Sequence, residues 1–105
     1  MLNPQTGFHT YYIYIITNEY RSSFYIGVSN NLKQRLLKHK ENIDLKVNTF
    51  AAKYNIKFLV YYEKFTWIHE VIAREKELKK WRREKKIQLI KNYNPNFDFL
   101  NFHFE

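Results

Sequence analysis

Four side chains in the first half of the chain have the types and spacing needed to handle a phosphodiester. Tyr14 and Tyr25 each lie in a run of β-branched and aromatic residues, and Arg35 precedes His39 by four residues in a helix-like stretch. Residues four apart on a helix lie one above the other. Hydrolysis of a phosphodiester needs a group that activates water, a group that holds the phosphate and a route for protons. A phenol, a guanidinium and an imidazole can fill these roles.

Each of these side chains also has an ordinary structural interpretation. A free phenol has a pKa of about 10, so a tyrosine base must lose its proton unusually easily or pass it through water. A nearby metal ion or Arg35 would favour that loss. Otherwise Tyr14 and Tyr25 are core residues of strands, and Arg35 is a solvated helix residue. His39 could relay a proton or hold Tyr14 in place, but a histidine near an apolar face is equally often a hydrogen-bonded structural residue.

Glu75 is a carboxylate in a position where an apolar residue is expected. A helix is predicted from Trp67 onward, with Thr66 as its N-cap, and its apolar stripe consists of Ile68, Val71, Ile72 and Leu78. At about 100° per residue, Glu75 falls in the middle of that stripe. An unpaired buried charge is costly, so we expect Glu75 to have a partner. Either one divalent cation binds it, as suits a single carboxylate, or it pairs with Arg35 or a lysine.

The elements that must position these residues begin with a β-hairpin. Residues 11–16 and 24–28 have the composition of strands, and the polar loop between them predicts a hairpin. The Ser29-Asn30-Asn31 stretch supplies N-cap chemistry for a helix over residues 32–39. Side chains alternate along a strand, which puts Tyr14 on the same face as Tyr12 and Ile16. Gly27 leaves a gap where a backbone or ligand can approach closely.

The second half predicts one more strand and a broken helical segment. Residues 48–54 suit a short turn of helix, and residues 56–63 predict a third strand with Phe58, Val60 and Tyr62 on one face. The helix from Trp67 is expected to break near residues 81–83 and to end at Asn94-Pro95. The aromatic tail, residues 97–104, predicts an extended strand packed across the domain. We therefore predict an α/β fold, a three-stranded antiparallel sheet flanked by helices in the order β-β-α-β-α-α.

Composition predicts one small basic domain. The chain has 105 residues, of which 45% are hydrophobic and 19% aromatic, so one packed core is expected. Residues 1–9 predict an irregular lead-in and residues 10–105 the domain. No apolar run approaches the roughly 18 residues that span a bilayer, so we expect no membrane partner. The lack of cysteine fits a cytoplasmic location. The net charge of +8 and the pI near 9.7 predict a polyanionic partner.

An ordered set of motifs resembles the GIY-YIG nuclease superfamily. It comprises Tyr12-Ile13-Tyr14, Tyr25-Ile26-Gly27, the stretch from Asn31 through Arg35 and Leu36 to His39, Lys53-Tyr54-Asn55, residues 59–63, residues 73–79 and Asn94-Pro95. The chain is most similar to the small stand-alone bacterial members related to the nuclease domain of the excision-repair C subunit. The first glycine of the family's name is Tyr12 here, a position that is mainly structural in the family.

This resemblance implies a divalent-metal-dependent endonuclease that acts on nucleic acid, with DNA favoured over RNA and DNA repair as the setting. It implies Tyr14 as the base, Tyr25 as a positioning residue and Arg35 as the group that grips the phosphate. His39 joins them as a catalytic candidate, and Gly27 is a structural motif residue. Glu75 is implied to bind one Mg²⁺ or Mn²⁺.

A basic run predicts where nucleic acid would lie. Residues 74–91 carry nine Lys/Arg against three Glu. The candidates for contacts with nucleic acid are Arg82, Arg83, Lys85 and Lys86 in this run, with Lys53 and Asn94 added from the family pattern. The ordinary alternative is that a lysine-rich helix is simply a solvated face.

Two other functions stay open at this point. The first is a non-catalytic nucleic-acid-binding module on the same fold, although the presence of all the motif residues argues against it. The second is an interaction protein whose aromatic tail mediates self-association, which requires the four phenylalanines of the tail to be exposed. A homodimer or a protein partner is compatible with each function, since so short a chain has no second domain to supply specificity.

Overall fold

The structure, a computed structural model, describes residues 10–105. The predicted lead-in, residues 1–9, lies outside the described residues. The described chain forms a three-stranded antiparallel sheet in the order β2-β1-β3, with helices on both faces. The order along the chain is β-β-α-α-β-α-α. The elements are β1 (Tyr11–Thr17), β2 (Phe24–Ser29), α1 (Leu32–Asp44), α2 (Phe50–Lys53), β3 (Phe58–Phe65), α3 (Ile68–Lys80), α4 (Arg83–Tyr93) and a 3-10 helix (Asn101–Phe104).

The predicted α/β sheet is confirmed, with one helix more than predicted. Residues 48–54, which suited only a turn of helix, contain the four-residue helix α2, and Thr49 caps it by accepting a hydrogen bond from the Ala52 amide at 3.2 Å. The helix α1 runs to Asp44 and so extends beyond the predicted end at residue 39. The break between α3 and α4 at residues 81–82 lies where it was expected. Among residues 10–105, none of the helices is long and apolar enough to cross a bilayer.

The central strand β1 has a buried face on each side of the sheet. Ile13 and Ile15 pack with Val71, Leu78 and Ile90 of α3 and α4. Tyr14 and Ile16 pack on the opposite face with α1, α2 and the tail, through Leu32, Leu36, Ala51 and Leu100. Because helices cover both faces, β1 is a nearly continuous apolar run rather than a polar–apolar alternation. The predicted grouping of Tyr14 with Ile16 is confirmed.

A β-bulge corrects the predicted faces of β3. The pairing with β1 shifts between Ile15 and Ile16, so that Ile15 faces Tyr61 and Ile16 faces Leu59, which leaves Val60 without a partner. A bulge inserts one residue and interrupts the alternation of side chains. Val60 and Tyr61 consequently both pack on the α3–α4 side, while Tyr62 packs on the α1 side. The prediction that Val60 and Tyr62 share a face was wrong for this reason.

The predicted cap of α1 is confirmed, whereas that of α3 is wrong. The Asn31 side chain accepts a hydrogen bond from the Gln34 amide at 3.1 Å, as an N-cap residue does. The helix α3 starts at Ile68, one residue later than predicted, and its N-cap is Trp67. Trp67 makes no side-chain cap hydrogen bond, and Thr66 lies one position too early to cap this helix.

The buried stripe of α3 is rotated from the predicted one. Val71 and Leu78 are fully buried, but Ile68 is 52% and Ile72 39% exposed. Val71 and Leu78 lie within about 20° of each other around the helix, and they point at β1 and β2. Glu75 is about 40° to 60° from them, at the border of the buried stripe, where its side chain is 24% exposed.

The tail is not a strand, although it does close the edge of β3. The Leu100 amide donates to the Leu59 carbonyl at 2.7 Å, and the Asn101 side chain accepts from the Leu59 amide at 2.8 Å and donates to the Lys57 carbonyl at 3.1 Å. The chain then turns into the 3-10 helix. Side-chain amides therefore satisfy edge groups that a fourth strand would otherwise pair.

Asn94 holds the start of the tail against β3. Its side chain is 6% exposed, donates to the carbonyls of Val60 at 3.0 Å and Asp98 at 2.9 Å, and accepts from the Asp98 amide at 3.1 Å. Both amide hydrogens and one lone pair are thus used inside the protein.

We predict that Asn94→Ala lowers the free energy of unfolding by about 1–3 kcal/mol, because it leaves buried backbone groups unpaired. Urea unfolding measured by circular dichroism checks this. The matched control is Asn92→Ala, whose side chain makes an exposed hydrogen bond with Gln88 at 2.9 Å. Equal losses for the two variants would contradict the structural role of Asn94.

Candidate functional site

The site is organised around the buried hydroxyl of Tyr14. Tyr14 is fully buried in the central strand, directly opposite Gly27 of β2. A Cβ added to Gly27 would lie 2.4 Å from both Cζ and Oη of Tyr14, far inside van der Waals contact. The gap predicted at Gly27 is therefore filled by the Tyr14 ring. Only a residue without a side chain leaves room for the phenol in this position.

Two residues of α1 bind the Tyr14 hydroxyl. The His39 Nε2 atom lies 2.8 Å from Tyr14 Oη, and Arg35 Nε donates to the same oxygen at 3.3 Å. With the imidazole neutral and its proton on Nδ1, the phenol donates to His39 and accepts from Arg35. The four-residue spacing thus brings Arg35 and His39 to one oxygen atom, as the helix geometry predicts.

Burial keeps both members of the Tyr14–His39 pair uncharged. Desolvation raises the pKa of Tyr14 to about 12, and the hydrogen bond from Arg35 acts in the opposite direction. Desolvation also lowers the pKa of His39 to about 4, with the charge of Arg35 adding to that effect. Both shifts favour the phenol and the neutral imidazole over the phenolate and the imidazolium. At neutral pH the pair is therefore a phenol that donates to a neutral imidazole.

Tyr25 and Arg35 extend the site from this centre. Tyr25 is half-buried, and its ring centroid lies 6.4 Å from that of Tyr14 and 5.4 Å from that of His39. Hydrogen bonding to Tyr14 is the main reason that the pKa of Arg35 is raised, and Tyr25 contributes to the same shift. Arg35 remains exposed, so its charge faces solvent between the two phenols. A guanidinium has five N–H donors, enough to bind a further anion there.

Glu75 approaches the site from the opposite helical layer. Its negative charge contributes to the raised pKa of Tyr14, which places it within electrostatic range of the phenol. Its ion-pair partner is Lys79, one turn along α3, at 3.0 Å. The lysine alternative of the sequence analysis is thus present, and Arg35 instead donates a hydrogen bond to the Tyr14 hydroxyl.

The donor set fits one hydrated divalent ion. Within residues 10–105 no group of three or more His, Asp, Glu or Cys could hold a metal between them. Glu75 is a partly exposed carboxylate, and the side chain of its partner Lys79 is 53% exposed. A single carboxylate completed by water and substrate oxygens is the environment in which Mg²⁺ usually binds. The binding of one cation by Glu75 stays a prediction.

Arg74 anchors the part of α3 that carries Glu75, and sequence reasoning missed it. Its guanidinium donates to both oxygens of Glu63 on β3, at 3.0 Å from Nε to Oε1 and 2.9 Å from Nη2 to Oε2, and it pairs with Glu77 at 2.7 Å. Tyr61 also donates a hydrogen bond to Glu63. The sequence contains the opposite charges needed for this ion pair, at Glu63, Arg74 and Glu77. It does not show that a helix residue will meet a strand residue, so the pair could not be predicted.

The predicted nucleic-acid contacts do not form one surface. Lys53 is exposed at the end of α2, on the Tyr14 side of the sheet. On the other side Arg83 donates to the Ser22 carbonyl at 2.7 Å and lies over Phe24, while Lys85 lies over Trp81 at 4.1 Å. Arg82 is exposed and Lys86 half-buried. Asn94 is buried, as described above, so its hydrogen-bonding groups face the protein.

Tyr12, which replaces a glycine of the family motif, packs at the tail end of the sheet. Its ring contacts Tyr62 and Phe104 edge-on, at centroid distances of 6.2 and 5.5 Å. Tyr12 therefore buries apolar area of the tail and stays out of the Tyr14–His39 contact.

A family model of the GIY-YIG catalytic domain matches residues 10–94, which include every residue of the site. The chain belongs to the GIY-YIG family. A UPF0213 protein of Staphylococcus saprophyticus subsp. saprophyticus is 32% identical over 80 residues, which cover 76% of this chain and 93% of that protein. A UPF0213 protein of Pediococcus acidilactici is 28% identical over 88 residues, which cover 84% of this chain and 85% of that protein.

A solution NMR structure of a UPF0213 protein from Bacillus halodurans aligns with a TM-score of 0.48 at 26% identity, covering 78% of this chain and 83% of that one. The predicted family is confirmed, and the curated relatives are small GIY-YIG proteins like this chain. GIY-YIG is a nuclease superfamily, so the fold is of nuclease type. The UPF0213 names state no activity.

We predict that Gly27→Ala lowers the free energy of unfolding by about 1–3 kcal/mol, because the new methyl group overlaps the Tyr14 ring. A double-mutant cycle isolates that overlap, since Tyr14→Leu removes the atoms that the methyl would strike. In the Tyr14→Leu background we expect Gly27→Ala to be neutral or stabilising. Urea unfolding of the four proteins measures the coupling, and additive losses would contradict it.

We predict that the protein loses stability as the pH falls from about 6.5 to about 4. In this window the unfolded chain protonates His39 while the folded protein does not, because the pKa of His39 is lowered to about 4. The expected loss is about 3 kcal/mol. Carboxyl groups also titrate in this pH window and affect stability. The free energy of unfolding is therefore measured against pH in wild type and in His39→Gln, which keeps the carboxyl groups but lacks the imidazole. The variant should show a shallower decline, and parallel curves would contradict the assignment.

Proposed function

We propose that this GIY-YIG protein is a divalent-metal-dependent endonuclease that hydrolyses phosphodiester bonds. DNA is the proposed substrate in preference to RNA. The observation that carries the proposal is the convergence of His39 and Arg35 on the Tyr14 hydroxyl. An apolar ring would pack in the same place, so the hydrogen bonds of the Tyr14 phenol to a neutral imidazole and an exposed arginine are not needed for packing alone. It joins a proton acceptor to an anion-binding group within one hydrogen-bonded set.

Arg35 is proposed to bind the scissile phosphate. Its guanidinium is exposed and uses Nε to hold Tyr14, which leaves its terminal N–H groups for phosphate oxygens. Because the charge is present before substrate arrives, it stabilises the charge that develops on the phosphoryl oxygens without reorganisation. The same hydrogen bond sets the distance between the phosphate and the phenol.

The Tyr14–His39 pair is proposed to take the proton of the attacking water. With its pKa raised to about 12, Tyr14 is not a phenolate at neutral pH and cannot act as a simple base. The hydrogen bond of 2.8 Å offers a route in which Tyr14 passes its proton to His39 Nε2 as it accepts the proton of water. The Tyr14 oxygen gives up one proton and gains another, so no free phenolate is required. His39 gains the net proton and becomes an imidazolium, which releases that proton to the leaving group or to solvent before the next turnover. Tyr25 lies against both rings and positions them.

Glu75 is the proposed ligand for Mg²⁺ or Mn²⁺. A divalent cation at such a site supplies positive charge to phosphoryl oxygens in the transition state. Glu75 itself contributes a carboxylate within electrostatic range of Tyr14, and Lys79 balances its charge when no cation is bound. Neutralising Glu75 would also remove one of the influences that raise the pKa of Tyr14.

Nucleic acid is proposed to bind by its phosphates to exposed basic residues. Lys53 lies on the Tyr14 side of the sheet, and Arg82 and Lys86 lie on the α3–α4 side. Arg83 and Lys85 already hold aromatic side chains, so their charges contribute more to a general field than to new contacts. The net charge of +8 supports attraction to a polyanion.

The second candidate is a nucleic-acid-binding module without turnover. The raised pKa of Tyr14 favours it, because a phenol with a pKa of about 12 does not activate water unless a proton acceptor assists. The neutral imidazole of His39 is that acceptor in our proposal. The self-association alternative loses support, since Phe97, Phe99 and Phe104 pack against other rings and Phe102 is the tail phenylalanine that is largely exposed.

We predict that wild type nicks supercoiled and branched DNA with Mg²⁺ or Mn²⁺, and that a chelator stops cleavage. Tyr14→Phe, Arg35→Ala and Glu75→Ala should each lower the rate at least about 100-fold, the range seen when one transition-state contact is removed. Gel assays under single-turnover conditions measure the rates. Matched controls are Lys38→Ala and Glu70→Ala, which remove exposed charges from the same two helices.

The controls separate three outcomes. DNA binding by wild type without cleavage under either metal would support the binding module and contradict the nuclease. Cleavage that survives Glu75→Ala would contradict the assigned site. Equal losses in the control variants would mean that general charge, and not the site, sets the rate.

A further inference from the structure

A second concave surface lies on the far side of α1 from the catalytic candidates. The α1–tail groove has a volume of about 610 Å³ and lies between α1, the start of β3 and the tail. Among its lining residues, Leu36 is buried and Phe104 half-buried, while Leu37 of α1 and Phe102 of the 3-10 helix are exposed. Around α1, Leu37 is about 160° from Arg35. The groove therefore lies mainly on the opposite side of α1 from Arg35, and the two surfaces meet at Leu37, which also borders the depression that contains Arg35.

The walls of the groove expose apolar area that the domain leaves uncovered. Leu37 is 58% and Phe102 63% exposed, on two elements far apart in sequence. Two large exposed apolar side chains that line the same cleft make a suitable site for a third apolar side chain. Phe104, by contrast, packs against Tyr12 and Tyr62, so this lining residue already has apolar partners within the domain.

The rim of the groove is positive. Lys33, Lys40 and Lys57 line it, and within residues 10–105 none of the three forms an ion pair. Lys57 lies 5.4 Å from the ring centroid of Phe58, so Lys33 and Lys40 are the two that no aromatic contact engages among the described residues. Glu105 is the acidic side chain on the same rim, which leaves the lysines in excess. Carboxylates brought to this rim would therefore meet unpaired cations without displacing an existing salt bridge.

From these observations we propose that the α1–tail groove docks an acidic segment of a partner protein, with a bulky apolar side chain inserted between Leu37 and Phe102 and flanking carboxylates on Lys33, Lys40 and Lys57. A peptide suits the groove better than a nucleic acid strand, because the walls are mixed aliphatic and aromatic and enclose a cleft. Bases stack on open aromatic faces along a continuous basic track. The docked segment would leave the exposed guanidinium of Arg35 accessible.

The test begins with a random peptide library displayed on phage and selected on the wild-type protein. We expect enriched sequences to combine Phe, Leu or Trp with flanking Asp or Glu. Synthetic fluorescein-labelled copies are then measured by fluorescence anisotropy. Phe102→Ala and Lys40→Glu should each weaken binding about tenfold or more, as the loss of an anchor or a reversed charge does. Glu75→Ala should bind the peptide as wild type does, so the result is independent of nuclease activity.

Two control variants match the chemistry of the changes outside the groove. Leu45→Ala removes a leucine that is 67% exposed after the end of α1, and Lys91→Glu reverses a charge on the last turn of α4. Both should stay within about twofold of wild type, the scatter expected for distant sites. Circular dichroism verifies that Phe102→Ala folds, which its exposure leads us to expect.

Four outcomes would overturn the proposal. These are a selection that enriches nothing, enriched peptides without acidic residues, and peptide binding that is unchanged in Phe102→Ala and Lys40→Glu. The fourth is a groove used by another occupant. Sedimentation that shows a wild-type dimer dissociated by Phe102→Ala would assign the groove to a second copy, and oligonucleotide binding lost in that variant would assign it to nucleic acid.

Discussion

The hydroxyl of Tyr14 over Gly27 is the contact on which the site depends. The central strand turns a phenol toward the α1 layer, and a side chain at residue 27 would occupy the same space. The missing Cβ therefore gives the ring its place between β2 and α1. Asn31 caps α1 at the residue that puts His39 and Arg35 beside the phenol. A shift of one residue in either element would turn these groups away from each other.

Burial raises the pKa of Tyr14 and lowers the pKa of His39, and together these shifts leave the buried part of the site uncharged. The same desolvation that makes Tyr14 a poor acid makes His39 a weak base, so the pair rests without net charge. Arg35 can stay charged because it reaches solvent. The permanent charge of the site is thus placed at the surface, where an anion arrives, and the proton-transfer pair lies beneath it. Such a division lets a small domain hold a polar pair in its core without an unpaired buried ion.

The position of Glu75 depends on how α3 is held against the sheet. Val71 and Leu78 fix the rotation of the helix, and Arg74 ties it to Glu63 on the edge strand. The β-bulge at Val60 contributes here, because it moves Tyr61 to the α3–α4 face, where its hydroxyl meets Glu63. The carboxylate at the border of the stripe can therefore face both solvent and the Tyr14 region. The aromatic tail serves the edge of β3 in a similar way, through the amides of Asn94 and Asn101.

Local chemistry was sufficient to predict the hairpin, the capped first helix, the break before α4 and the placement of Arg35 above His39 on one side of α1, whereas Tyr14 was joined to that pair only by the family resemblance. Each follows from a periodicity or a cap that neighbouring residues set alone. Glu75 was also selected by helical spacing. Tertiary structure decided what depends on the fit between elements: the bulge at Val60, the rotation of α3, the tail as a 3-10 helix and the clamp of Arg74 on Glu63. It also decided which asparagines face inward. These features depend on which groups remain unpaired once the layers have packed, and a residue's neighbours along the chain do not specify that.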